Sequence, residues 1–214
     1  MLGPKFSNSL GVIFLMVLFW VTTAAPVSAQ NHRLNVEEMS LFKRISSNAE
    51  QQRKTIKLDP ILCIAARKRA ADMAHRNYFS HIDPSGQGPN LVARRAGFEF
   101  PPYYDGSRSG NNIESIGMAT SGPNEVFSQW LQSSSHRSHV LGEHDFYLEQ
   151  SAVGVGVYRS PKAPYYKYIV FLSAPPNAAL LPRIATLKDP KGEIIATTRP
   201  LNRMVNRLGA ISVR

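Results

Sequence analysis

Two histidines and one glutamate are the residues of this chain whose types and positions best support chemistry. His81 stands after a strongly helical run and two positions before Asp83, where the turn sequence Asp83-Pro84-Ser85-Gly86 begins. Glu114 and His136 lie in two later segments, and Ser133 precedes His136 by one helical turn. Brought together by the fold, the two imidazoles and the carboxylate could hold a divalent metal or share a proton.

The chemistry of this set has two interpretations. Two imidazoles and a carboxylate can form a zinc shell whose open fourth position holds a water, and the metal can turn that water into a nucleophile. The chain has no His-Glu-x-x-His motif, so only the fold can bring the ligands together. We therefore predict either Zn²⁺ or another divalent cation at His81, Glu114 and His136, or a metal-free hydrogen-bonded cluster of the same residues.

Other reactive side chains have simpler explanations. His139 could be an extra ligand, but we expect a solvated or capping histidine. The serines of Ser133–Ser135 lack a Gly-x-Ser-x-Gly elbow and favour N-capping over serine catalysis. The charged run Arg67–Arg69 is expected to include solvated positions. Cys63, the single cysteine, has apolar neighbours, which predicts a small core residue and no intramolecular disulfide.

The first 29 residues have the pattern of an export signal. The apolar run Leu10–Val21 precedes Val27-Ser28-Ala29, a small-x-small cleavage site. As a helix, this run would span about 18 Å, whereas a bilayer core is about 30 Å thick. We therefore expect a cleaved signal peptide and an exported monomer, secreted or retained in the periplasm or at the cell envelope.

The charge of the chain is +10 and is concentrated towards its end. From Arg183 onwards, seven Arg and Lys residues stand against two Asp and Glu. Weak, salt-screened attachment to an anionic envelope surface and a merely solvated tail are both open. A nucleic-acid partner is not expected, because the chain is predicted to be exported and carries no recognition motif.

Helices and strands occur in separate runs, which is typical of an α+β fold. Asn35 with Glu38 resembles a capping box, and Asp59 with Pro60 is a second helix-start signal. A turn and a short helix are predicted near Gly86 and Gly97, and a long loop at 98–112. The predicted helices are 36–52, 61–77, 90–96, a helix after Ser121 and a short turn at 136–141; the predicted strands, 152–158 and 165–173, form an antiparallel hairpin.

Several motifs in this order resemble the CAP superfamily (cysteine-rich secretory protein, antigen 5 and pathogenesis-related 1; SCP domain), in its bacterial disulfide-free branch. The resemblance covers Leu34 to about Ala174. It rests on Leu34-Asn35, the helix ending in Asp72-Met73-Ala74, Phe79-Ser80-His81, Ala96-Gly97-Phe98, Ile113-Glu114-Ser115-Ile116, Trp130-x-x-Ser133-x-x-His136-Arg137 and Val153-Gly154-Val155-Gly156. It implies a three-layer α-β-α sandwich with a central antiparallel sheet, here followed by a short basic C-terminal extension.

The resemblance also implies a cleft lined by two histidines and two glutamates. The family positions fall on His81, Glu114 and His136. The family motif Gly-Glu-Asn reads Ile113-Glu114-Ser115 here, and the second glutamate has no counterpart, with Ser133 in that region. The site is thus at most a triad of two histidines and one glutamate.

These observations predict a signal peptide at 1–29, a CAP domain at 30–176 and a basic extension at 177–214. The leading hypothesis is an exported protein that acts by binding a lipid-like or cell-envelope ligand, with or without a divalent metal, at a cleft of His81, Glu114, Ser133 and His136; this hypothesis favours a protein that is not an enzyme and leaves catalysis open. The alternatives are a metal-dependent hydrolase, with Glu114 as ligand or general base, and a non-catalytic structural or interaction module. The lost asparagine and second glutamate count against the hydrolase.

Overall fold

The structure, a computed structural model, describes residues 33–177 and the backbone of two short strands, 187–188 and 194–196. The predicted signal peptide and most of the basic extension lie outside the described residues. Among the helices that are described, none is long and apolar enough to cross a membrane.

Within the described residues, six helices and four strands build the domain, and two further strands follow it. In chain order they are α1 (Val36–Ser46), β1 (Lys57–Leu58), α2 (Pro60–His75), α3 (Pro89–Arg95), β2 (Glu114–Ala119), α4 (Pro123–Gln132), α5 (Ser134–Leu141), α6 (Asp145–Leu148), β3 (Ala152–Arg159), β4 (Lys167–Ala174), β5 (Leu187–Lys188) and β6 (Ile194–Ala196). Strands β5 and β6 pair antiparallel with each other.

The main sheet has the strand order β1-β3-β4-β2. Strand β4 pairs antiparallel with both β3 and β2, which confirms the predicted hairpin. The edge strand β1 pairs with β3 in parallel, so the sheet is antiparallel in three of its four strands. Two residues are too few to show an alternating pattern, so the sequence does not predict β1.

Helices cover both faces of this sheet, as the predicted α-β-α sandwich requires. Along β4, Tyr168, Val170 and Leu172 contribute to the cluster that contains the buried residues of α2 and α3. The alternating Ile169 and Phe171 belong to the second cluster, with α1, α4 and α5. The period of two in a fully buried strand thus divides the core into two layers.

Two glycines of β3 let α2 approach the sheet closely. A Cβ atom added at Gly154 would lie 2.2 Å from the carbonyl carbon of Leu62, and one at Gly156 would lie 2.4 Å from that of Ala66. Backbone atoms of a packed helix cannot yield to such contacts. Any larger residue at either position would therefore push α2 off the sheet.

The helix starts predicted from the sequence are present. Asn35 accepts the Glu38 N–H, and Glu38 accepts the Asn35 N–H, which completes the capping box of α1. Asp59 accepts two N–H groups at the start of α2. Helix α1 ends earlier than predicted, at Ser46, where the Ser47 hydroxyl donates to the Lys43 carbonyl.

The end of α2 directs the chain towards His81. Asn77 adopts a left-handed conformation, with φ of 53°. The Tyr78 N–H then donates to the Met73 carbonyl, the 6→1 bond of a Schellman motif. The helix therefore stops by a defined geometry, and the segment that follows reaches His81 within three residues.

Candidate functional site

A buried ion pair between Arg69 and Glu114 forms the centre of the site. Arg69 Nε donates to Glu114 Oε2 at 2.8 Å and Arg69 Nη2 donates to Oε1 at 3.2 Å. Arg69 is 1% exposed, and the Glu114 side chain is fully buried. The run from Arg67 to Arg69 does include a solvated position, Lys68, whereas Arg69 points inwards from α2 because its counter-ion lies on β2.

Glu114 also orients the ring of His81. The Nδ1 atom of His81 lies 2.9 Å from Glu114 Oε1. An ionised carboxylate only accepts hydrogen bonds, so Nδ1 carries the proton and donates it. The side chain of His81 is 39% exposed. Nε2 is therefore the ring nitrogen that remains for a ligand.

Arg69 holds both the segment around His81 and Glu114, which accepts the hydrogen bond of the His81 ring. Its Nη2 donates to the backbone carbonyls of Ser80 and His81, at 2.9 Å each. Its Nη1 donates to the Tyr78 hydroxyl, which in turn donates to Asp72 at 2.6 Å. Burial and the Asp72 hydrogen bond raise the pKa of Tyr78, so the phenol remains a donor.

The Glu114 carboxyl remains ionised despite its burial. Burial alone would raise its pKa, but the charge of Arg69 and the hydrogen bonds from His81 and Arg69 together lower it. The carboxylate thus has a matched cation and accepts hydrogen bonds at both oxygens. A group in this state is a fixed anion and not a base near neutral pH.

His136 lies on the first turns of α5 beside Ser133. Its Nδ1 and the Ser133 Oγ are 2.9 Å apart. Ser133 occupies the N-cap position, as predicted for this serine run, but its hydroxyl contacts the imidazole in place of the backbone. Burial and the nearby His81 lower the pKa of His136. The structure therefore joins His81 to Glu114 and Ser133 to His136. His81 is also close enough to His136 to lower its pKa.

His139 is a core residue, which corrects the prediction of a solvated or capping histidine. It is 4% exposed, with Nδ1 2.7 Å from Ser115 Oγ and Nε2 2.8 Å from Ser173 Oγ. The Ser173 hydroxyl donates to Gln150 at 2.6 Å, so it must accept from His139 Nε2. Ser115 then donates to Nδ1, and the network fixes a neutral ring.

Arg53 fastens the end of α5 behind this network. It donates to the carbonyls of Val140 at 2.8 Å, of His139 at 2.6 Å and of Tyr147 at 2.9 Å. The last carbonyls of a helix lack intrahelical partners and attract a cation. Burial lowers the pKa of Arg53 to about 10, so it is still charged at neutral pH. Arg53 thus anchors the helix that carries His136.

The side chains that could coordinate a metal at this site do not fit a zinc shell. Within the part of the chain that the structure describes, no group of three or more His, Cys, Asp or Glu side chains is placed to hold a metal ion. Both oxygens of Glu114 already accept from Arg69, and one also accepts from His81. A metal at His81, Glu114 and His136 stays a prediction.

A three-layer sandwich that brings a histidine and a glutamate into contact at one end of its sheet defines the class of CAP domains that the sequence resembles. The family model described as CAP, the cysteine-rich secretory protein family, matches residues 31–173. The chain belongs to this family.

Single relatives match this chain only in part. The chain is 31% identical over 123 residues to an uncharacterized protein of Bacillus subtilis (strain 168), YkwD; the match covers 56% of this chain and 42% of that protein. It therefore spans less than half of the relative's length.

Two solved structures are similar at a TM-score of 0.49. One is an extracellular protein containing a SCP domain from Bacillus anthracis str. Ames, at 20% identity, with 64% of this chain and 40% of that chain covered. The other is an outer surface protein from Borrelia burgdorferi, at 16% identity, with 67% of this chain and 96% of that chain covered.

Proposed function

We propose that this chain is an exported CAP-domain protein that binds a lipid-like or cell-envelope ligand at the cleft of His81, Glu114, Ser133 and His136, without catalysing a reaction. The observation that carries the proposal is the state of Glu114. Its carboxylate is buried, ionised and hydrogen-bonded at both oxygens, so it supports His81 and is not free to act on a substrate.

A hydrolase at this site would need a group that the geometry does not supply. A general base works best with a pKa near the operating pH and within reach of the reacting proton. Glu114 has a lowered pKa and no exposed oxygen. Glu114 also pairs with His81, whereas the Ser133 hydroxyl contacts His136, so these groups do not form a serine–histidine–acid chain.

The surroundings of His81 suit a ligand with both polar and apolar parts. Phe79 is 37% exposed and Ile82 is 44% exposed, on either side of the histidine in the chain. The Phe79 ring lies 6.2 Å from that of Tyr165, which is also exposed. Exposed apolar side chains beside hydrogen-bonding imidazoles favour an amphipathic ligand.

Ligand capture tests this proposal. The purified protein is incubated with a total lipid extract and, separately, with solubilised cell-wall glycan fragments, then passed over a gel-filtration column and examined by mass spectrometry. We expect one class to be retained and to be lost from the His81→Gln, His136→Gln double variant. The control is Glu50→Gln, which changes only a surface pair with Arg137. Retention of neither class, or equal retention by the double variant, would contradict the proposal.

A further inference from the structure

We propose that Arg69 is the resident cation of this site: it takes the position beside Glu114 that a divalent metal would otherwise need, and it positions His81. The inference rests on the proposed function only for the assignment of His81 as a ligand-facing ring. The contacts that support this inference all lie within the protein and involve no ligand.

A fully buried carboxylate requires a positive partner, because an isolated buried charge is very costly. Arg69 supplies that charge in the two-pronged geometry that matches a carboxylate. Its bonds of 2.8 and 3.2 Å reach one oxygen each. A metal ion at Glu114 would have to compete with Arg69 and His81, whose three hydrogen bonds occupy most of the roughly four lone-pair sites of the carboxylate, so the ion pair disfavours a metal there.

The same guanidinium also fixes the ring that donates to Glu114. Its Nη2 contacts the carbonyls of Ser80 and His81, while its Nη1 reaches the Tyr78 hydroxyl. The backbone of His81 and the acceptor of its Nδ1–H are therefore held by one side chain and cannot move independently. A lysine could not replace this arrangement, because its ammonium is a compact point charge without a planar fork.

The expected consequence is a single tautomer at His81 in the absence of metal. Nδ1 keeps its proton towards Glu114, so in this tautomer Nε2 is the unprotonated ring nitrogen. Nuclear magnetic resonance of the full chain with ¹⁵N-labelled histidine rings measures this directly, with the His81 signals assigned by their loss in His81→Gln. No ligand is added, so the result is separate from the test of ligand binding.

For the wild type, we expect the Nδ1–H form of His81 after dialysis against EDTA, and no shift of its ring signals with one equivalent of zinc sulfate. Loss of this tautomer on chelation, or a stoichiometric zinc-dependent shift of His81, would overturn the inference. This measurement needs no variant at Arg69 and stands even if substitutions there prevent folding.

Arg69→Lys tests the positioning role. We expect it to lose the single His81 tautomer, because a lysine cannot hold both Glu114 and the carbonyl of His81. The matched control is Arg67→Lys on the same helix, where Arg67 pairs with Glu38 through Nε at 2.8 Å and Nη2 at 2.6 Å. The control should retain the wild-type His81 signals. An unchanged His81 tautomer in a folded Arg69→Lys variant would refute the positioning role.

Discussion

The guanidinium of Arg69 and the carboxylate of Glu114 meet inside the protein, 45 positions apart in the chain, through two hydrogen bonds. The pair links α2 to β2. Both partners also hydrogen-bond to His81, Arg69 to its backbone carbonyl and Glu114 to its ring. Its burial makes it costly to break, because either partner alone would be an uncompensated charge in the core. In the function that we propose, these contacts make Glu114 a support for His81 and not a general base.

Glu114→Gln should therefore destabilise the fold strongly. The substitution keeps the shape of the side chain but leaves Arg69 buried without its counter-ion. We expect a loss of about 3–5 kcal/mol in the free energy of unfolding, measured by urea denaturation at pH 7. The exposed pair of Glu50 and Arg137 provides the control, and Glu50→Gln should unfold like the wild type. Equal midpoints for Glu114→Gln and the wild type would contradict a structural ion pair.

The pH dependence of this contribution has a defined sign. Folding lowers the pKa of Glu114, so its stabilisation is complete above the ordinary glutamate pKa of about 4.3. It is lost as the pH falls through the folded-state value. Urea midpoints measured from pH 5 downwards should fall more steeply for the wild type than for Glu114→Gln. Parallel curves would show that Glu114 does not titrate in this way.

His139 should make the protein sensitive to mild acid. Burial, Arg53 and His136 lower its pKa well below the ordinary value, so the folded state excludes a proton that the unfolded chain binds below about pH 6.5. The stabilisation is present above that pH and decreases by up to about 1.4 kcal/mol per pH unit as the pH falls towards the folded-state value.

The variant that isolates this effect is His139→Gln, which removes the titrating ring and retains a polar side chain. Between pH 7 and pH 5, its free energy of unfolding should fall less than that of the wild type. Identical slopes in urea titrations would assign the acid sensitivity to another group.

Gly156→Ala should separate α2 from the sheet. The added methyl would lie 2.4 Å from the Ala66 carbonyl carbon, and overpacking of this kind costs about 1–3 kcal/mol. Gly106→Ala is the control, because a Cβ atom there meets nothing within 4 Å. Thermal unfolding should distinguish the two substitutions, and a Gly156→Ala variant as stable as Gly106→Ala would contradict the close approach of the helix.

The α+β class, the β3–β4 hairpin and the helix caps are predictable from the sequence, because each depends on local pattern. The surroundings of the site depend on distant partners. Arg69 belongs to a charged run that the sequence predicts to include solvated positions, yet its spacing from Leu62, Ala66 and Met73 follows the buried stripe of α2. A charge in that stripe signals a buried partner, but the sequence does not name it.

His139 illustrates the same limit. Its partners, Ser115 and Ser173, lie on β2 and β4, 24 and 34 positions away. The residues of α5 before it are polar, and the apolar Val140 and Leu141 after it are too few to mark a buried face. The strand β2 is also absent from the predicted elements, because Glu114, Ser115 and Gly117 give it no apolar alternation.

The most direct test of binding without catalysis is mass spectrometry of the captured ligand before and after metal removal. The wild-type protein is loaded from the lipid extract or the glycan fragments, with and without prior EDTA treatment, and the bound material is analysed after prolonged incubation. We predict an intact ligand, retained in equal amounts with and without chelation. Cleavage products in either sample would contradict binding without catalysis, and products confined to the sample without EDTA would assign the reaction to a bound metal.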